Sequence, residues 1–198
     1  MPSFFKCCEY WIFDLDGTLT LPVHDFEYIR KELMISPDED ILQHLADLSP
    51  SVRQKKTERL DQLEHFYALQ AKSAPGVYSL LESLSEKKCQ LGIVTRNTKA
   101  FTQLSLSVLN LSEYFDEACI IGRDDALPKP DPHGIDKLLS FWGVPATDSV
   151  MVGDYKYDLM AGRAAGCKTA HISTNHDLQW PELTDYRYTS LAQLATLI

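Results

Sequence analysis

Short, continuous apolar runs recur along this chain of 198 residues, and helical stripes separate them. The runs are Tyr10-Trp11-Ile12-Phe13, Gln90-Leu91-Gly92-Ile93-Val94-Thr95, Cys119-Ile120-Ile121-Gly122, Ser149-Val150-Met151-Val152-Gly153 and Lys168-Thr169-Ala170-His171-Ile172. A strand with one wet face alternates polar and apolar residues. Continuous runs mark strands covered on both faces, as in a parallel sheet. Between them, Phe101, Leu104, Val108 and Leu111 repeat at helical spacing, as do Ile135, Leu138, Leu139 and Trp142. Strand–helix alternation predicts an α/β fold, a doubly wound parallel sheet with right-handed crossovers. Ligands in such a sheet sit at the carboxyl ends of the strands.

Residues 21–74 break the alternation. They carry three helical patterns and no strand: Phe26, Ile29, Leu33; then Ile41, Leu42, Leu45, Leu48; then Leu60, Leu63, Tyr67. Ser36-Pro37 and Ser49-Pro50 punctuate them, and Pro75-Gly76 closes the segment ahead of a helix carrying Val77, Leu80, Leu81 and Leu84. The expected organisation is a core of residues 1–20 and 75–198, with residues 21–74 as a small all-helical cap inserted after the first strand. Leaving at a strand tip, the insertion is placed to hang over the crevice. The plainer alternative is that its helices pad the sheet. No internal repeat or low-complexity tract is present.

Composition narrows the partners. A formal net charge of -9 and a pI near 5.1 argue against nucleic acid or an acidic membrane, which call for a basic face. No apolar run approaches the ~18 residues of a membrane span. The five cysteines, Cys7, Cys8, Cys89, Cys119 and Cys167, are odd in number and lack Cys-x-x-Cys spacing. Free thiols in a reducing cytoplasm are therefore expected, rather than disulfides or zinc. Phe4, Phe5 and Lys6 run directly into the first strand, so that stretch reads as mature protein rather than a leader.

The chemistry collects at the strand ends. The first ends in Asp14 and Asp16, two carboxylates one residue apart, followed by Gly17. An unwound strand tip can turn both into one crevice, where they repel unless a cation lies between them. Mg2+, a hard ion with oxygen ligands and room for phosphate, is the natural choice. The second strand ends in Thr95-Arg96-Asn97, Lys129 stands between Pro128 and Pro130, and the next strand ends in Asp154 with Asp158 one helical turn on. Phosphoryl transfer can use each of them. A carboxylate nucleophile splits a difficult displacement into two steps, and a second carboxyl moves the protons. A lysine and a hydroxyl stabilise the electron-rich phosphoryl group. Asp154 adds a metal oxygen, and Asp158 can hold Lys129 or a metal-bound water.

Other residues carry plainer readings. Arg96 and Asn97 either line the leaving group or open a helix facing solvent. Arg123 with Asp124 is read as a salt bridge shaping the lysine loop. The basic run Arg53, Lys55, Lys56, Arg59 is read as a solvated face. His24 and His133 are read as structural, His171 and His176 receive no role, and Trp11 and Trp142 are read as core. Trp180 is read as a loop anchor.

Asp14-Leu15-Asp16-Gly17-Thr18, Thr95, Lys129 in Lys-Pro-Asp-Pro, and Gly153-Asp154 with Asp158 together resemble the four ordered motifs of the haloacid dehalogenase-like hydrolase superfamily, over about residues 10–166. The resemblance implies a Rossmann-like core, a helical cap of the first type and Mg2+-dependent phosphate chemistry. It implies Asp14 as nucleophile and Asp16 as general acid/base, with phosphate bound by Thr95 and Lys129; Arg96 is placed with them. It further implies a metal held by Asp14, the backbone carbonyl of Asp16, and Asp154, with Asp158 in support. Dehalogenases of this superfamily lack an acid at the position of Asp16, so the resemblance points to phosphate esters, and Thr18 favours a phosphatase. Phosphoglycolate-type phosphatases usually follow the motif with an Asp-Ser pair, whereas this chain reads Leu19-Thr20-Leu21-Pro22. The expected function is hydrolysis of a small phosphorylated metabolite, phosphoglycolate or a sugar phosphate among them. The alternatives are a phosphoglucomutase-like transfer and a non-catalytic phosphometabolite-binding protein. Oligomeric state is left open.

Overall fold

A computed structural model describes residues 4–175 and 177–198; His176 lies outside the described residues. In chain order the elements are α1 (Phe4–Cys7), β1 (Tyr10–Phe13), α2 (Phe26–Glu32), α3 (Ile41–Ala46), α4 (Pro50–Ala68), α5 (Val77–Glu86), β2 (Gln90–Val94), α6 (Lys99–Val108), β3 (Ile120–Ile121), α7 (His133–Trp142), β4 (Ser149–Gly153), α8 (Lys156–Ala165), β5 (Lys168–Ile172), β6 (Tyr186–Tyr188) and α9 (Leu191–Ala195). The six strands form one parallel sheet in the order β3-β2-β1-β4-β5-β6. The chain winds to one side of β1, then crosses to β4 on the other. That reversal opens a crevice beyond the carboxyl ends of β1 and β4.

Both faces of the sheet are buried, as the continuous runs require. Trp11 and Phe13 point to one side with Val150 and Val152, into a core shared with Leu80, Leu84, Leu106 and Leu194. Ile12 and Met151 point to the other, with Ile135, Leu138 and Ala161. Each fully buried side chain of this size contributes about 1.5–3 kcal/mol. The helical insertion packs around a cluster of its own, formed by Ile29, Leu33, Ile41, Leu45, Leu60, Leu63 and Tyr67. This is a helical cap standing on a Rossmann-like core. Among the described residues, no helix is long and apolar enough to cross a membrane.

The structure departs from the sequence expectation in places where tertiary contacts override local pattern. The expected strand 119–122 contracts to Ile120–Ile121, because Cys119 closes a 3-10 turn capped by Asp116. In α6 the buried residues are Thr102, Ser105 and Leu106, while Val108 is exposed. The helix is rotated from the expected stripe because it also meets the cap, with the Phe101 ring 5.8 Å from His65. The strand β6 and the helices α1 and α9 were not expected. α1 and β6 form because Phe5 is buried among Trp11, Tyr186 and Tyr188, at ring distances of 5.4, 4.6 and 5.9 Å, and α9 forms by burying Leu191 and Leu194.

Gly76 sets the start of α5 at φ +86°, and a Cβ there would lie 2.1 Å from the backbone nitrogen of Ala192. Gly76→Ala combines backbone strain with a clash against α9. It is expected to lower unfolding stability by roughly 2 kcal/mol or more. Urea denaturation checks this; an unchanged midpoint would contradict the close α5–α9 approach.

Candidate active site

The chain unwinds immediately after β1. The Leu15 carbonyl accepts hydrogen bonds from the amides of Leu19 and Thr20, both at 3.0 Å, and Leu15 and Leu19 are fully buried. This tight turn, with Gly17 at φ +96°, leaves the side chains of Asp14 and Asp16 on one cavity. Gly17 also permits close approach: a Cβ would sit 2.5 Å from Asp154 Oδ2. Thr95 follows β2, Lys129 lies in the loop after β3, and Asp154 follows β4. All of them line the same cavity of about 570 Å³, together with Arg96 and Asp158. The structure therefore brings every sequence-nominated site residue to one place.

At its floor, Lys129 is 1 % exposed and its Nζ lies 2.6 Å from Asp14 Oδ1 and 2.7 Å from Asp158 Oδ1. The second oxygen of Asp158 accepts from the Tyr155 amide at 3.0 Å, so Asp158 holds the lysine from the first turn of α8. Thr18 Oγ1 bridges Asp14 Oδ2 at 3.4 Å and Asp154 Oδ1 at 3.2 Å. Burial works against the Lys129 charge, but Asp14 and Asp158 outweigh it and hold its pKa above the ordinary lysine value. One ammonium does not balance three carboxylates. Burial pushes the Asp14 carboxyl well above its usual range; Lys129 opposes this, while Asp158, Asp154 and Asp16 add to it. Asp154 is pushed up to about 7, chiefly by burial and then by Asp158. Asp14, Asp154 and Asp158 each offer one oxygen within 4.8 Å of the others. That excess of buried negative charge and all-oxygen donor set fits a hard divalent cation.

Asp16 stands apart from this group. It is partly exposed, with Asn97 Nδ2 3.4 Å from Oδ2 and His24 Nδ1 3.5 Å from Oδ1. Thr95 is buried, and its Oγ1 accepts from the Asn97 amide at 3.0 Å.

Arg96 turns toward the cap. Its Nη2 contacts the two Asp40 carboxylate oxygens at 2.8 and 2.6 Å, its Nη1 donates to the Lys129 carbonyl, and its guanidinium lies 4.9 Å from the centre of the Tyr157 ring. Arg123 does form a salt bridge, but with the cap rather than with its own loop: Asp61 at 2.7 Å and Glu64 at 2.6 Å. Glu64 lines the cavity, and burial pushes its carboxyl up to about 7 against the pull of Arg123. The sequence reading missed Glu64 and Asp40. Asp61 and Glu64, three apart on α4, carried the only local signal of an acidic cap face meeting the core. Of the basic run, Arg59 pairs with Glu32, Arg53 donates to cap carbonyls, and none of the four lines the cavity. His133 accepts from the Leu127 amide, a loop-closing contact. His171 is buried and its Nε2 lies 3.1 Å from the Asp154 carbonyl, so it helps place that turn.

Fold and site together define a Rossmann-like α/β core with a buried lysine–carboxylate centre beneath a helical cap. A family model for haloacid dehalogenase-like hydrolases matches residues 11–172, and the chain belongs to that family. The chain is 27% identical over 194 residues to an uncharacterized hydrolase of Saccharomyces cerevisiae, covering 94% of this chain and 89% of the relative. It is 31% identical over 182 residues to the pyrophosphatase PpaX of Anoxybacillus flavithermus, covering 82% of each. A solved phosphatase of the same superfamily from Thermococcus onnurineus superposes with a TM-score of 0.69 at 25% identity, over 96% of this chain and 97% of that one.

Raised carboxyl pKa values have a stability consequence. With folded-state values of about 7 against ordinary values of 3.8 and 4.5, Asp154 and Glu64 keep protons that the unfolded chain has already released. Their stabilisation is complete below the unfolded values and is lost as pH rises toward about 7. Without divalent cations, Glu64→Gln should flatten the fall in stability between pH 4.5 and 7 relative to the parent chain. Identical pH slopes in denaturation would contradict the raised Glu64 value.

Proposed function

We propose that this hydrolase is a Mg2+-dependent phosphatase that cleaves a small phosphorylated metabolite through an aspartyl-phosphate on Asp14. The observation that carries the reading is the division of labour among the carboxylates. Asp14 is buried and anchored by Lys129, while Asp16, on the same cavity, stands outside the charged cluster and keeps contact with water. Two of the relatives named above are a pyrophosphatase and a phosphatase, which supports phosphoryl hydrolysis.

In the first step an Asp14 carboxylate oxygen attacks phosphorus. The bond from phosphorus to the ester oxygen breaks, and Asp16 gives its proton to the departing oxygen. In the second step Asp16, now a carboxylate, takes a proton from water as the water attacks phosphorus; the bond to Asp14 breaks and inorganic phosphate forms. Lys129 and the Thr95 hydroxyl stabilise the phosphoryl oxygens. Asp158 keeps Lys129 charged and in place. Asn97 and His24 orient Asp16. Asp14, Asp154 and the Asp16 carbonyl are the residues to hold Mg2+, which when bound offsets the charge between an anionic nucleophile and an anionic phosphate. Residues 21–74 act as the cap that limits what enters. The described cysteines are all free, which suits a reducing cytoplasm.

Purified protein with Mg2+ should release inorganic phosphate from phosphomonoesters. Release would also separate hydrolysis from an isomerising transfer. Asp14→Asn should lower turnover on the order of 10³-fold or more, and Asp16→Asn by about 10²–10⁴-fold, each with an unchanged circular dichroism spectrum. Appreciable activity in Asp14→Asn, or full activity of the parent enzyme in excess chelator, would contradict the assignment.

A further inference from the structure

Beyond the phosphoryl floor, the cavity is walled by the cap and by the turn that opens α8. This wall must meet whatever carries the phosphate. A substrate with a second anionic group needs a cation there, yet Lys129, Arg96 and Arg30 already hold protein oxygens, and Lys156 lies against aromatic rings. Lys129 sits between Asp14 and Asp158. Arg96 is locked on Asp40 and the Lys129 carbonyl. Arg30 donates to the Phe26 and Glu39 carbonyls at 3.3 and 3.2 Å. Lys156 lies over the Tyr155 and Tyr157 rings, 5.7 and 5.4 Å from their centres.

The cap turns four carboxyl groups to this wall, Asp38, Glu39, Asp40 and Glu64, the last held by Arg123, against Arg30, Arg96 and Lys156. The remaining lining includes apolar Ile29, Ile41, Leu42 and Leu60, with Phe26 and Tyr155 about half exposed. His24 adds a buried ring whose Nδ1 faces Asp16 Oδ1 at 3.5 Å and makes no closer hydrogen bond. Acidic acceptors beside an apolar wall suit hydroxyl groups on a neutral body and repel a second anion.

We infer that the group leaving with the ester oxygen is neutral: an alcohol bearing further hydroxyls and an apolar face, of the sugar-phosphate or nucleoside-monophosphate class, and not a carboxylate or a second phosphate. This rests on the phosphatase reading and sets the chain apart from its pyrophosphatase relative. The test measures binding and turnover separately. Asp14→Asn protein with Mg2+ is titrated calorimetrically with glucose 6-phosphate, a nucleoside 5′-monophosphate, phosphoglycolate and pyrophosphate. The tighter of the first two should bind at least roughly tenfold more strongly than either of the last two. A smaller ratio, a reversed order, or binding by none overturns the inference. Asp40→Asn on the same background releases Arg96 and should narrow the ratio; an unchanged ratio counts against it. Hydrolysis of p-nitrophenyl phosphate by the parent enzyme tests the phosphatase reading alone, so the inference can fail while that reading stands, and the reverse.

Discussion

The site is organised by a single buried ammonium. Lys129 is almost wholly enclosed and held between Asp14 and Asp158, which are far apart in sequence. Removing a charge from water costs several kcal/mol, and paired, hydrogen-bonded carboxylates are what make it tolerable here. The same contact positions the proposed nucleophile. It fixes one oxygen of Asp14 and leaves the other beside Thr18 and Asp154. Because three carboxylates share one lysine, the floor keeps an uncompensated negative charge. The raised values of Asp14 and Asp154 express that excess, and a divalent cation would relieve it.

The cap is joined to this floor by electrostatics as well as by chain connectivity. Arg96 and Arg123, each just past a strand of the sheet, reach up to Asp40 and to Asp61 with Glu64. Arg123 and Glu64 are both largely buried, so this pair is less screened than a surface salt bridge. The two clasps close the crevice into a cavity. They also consume positive charge that would otherwise face the substrate. Attachment of the cap and the electrostatic character of the pocket are thus the same set of contacts viewed from two sides.

Much of the core was legible because burial on both faces leaves a one-dimensional trace. Tyr10–Phe13, Ser149–Gly153 and Lys168–Ile172 are strands at the bounds their apolar runs suggest. The gathering of Asp14, Asp16, Thr95, Lys129 and Asp154 was legible because parallel strands deliver their ends to one edge. What escaped depends on partners far away in sequence. The rotation of α6 answers to the cap, and β6 exists because Phe4 and Phe5 supply an aromatic bed for Tyr186 and Tyr188. Arg96 was grouped with phosphate from its position beside Thr95; its contact with Asp40, 56 residues away, has no local signature.

The most direct examination of the proposed chemistry is to look for the covalent intermediate. Asp16→Asn protein, which lacks the group that activates water, is mixed with Mg2+ and p-nitrophenyl phosphate, whose leaving group departs without a proton, then quenched in acid, digested and analysed by mass spectrometry. A phosphoryl group on the peptide that contains Asp14, absent when Asp14 is also replaced by Asn, is the predicted result. Phosphate release with that peptide unmodified, or with the phosphoryl group on another residue, would contradict nucleophilic catalysis by Asp14.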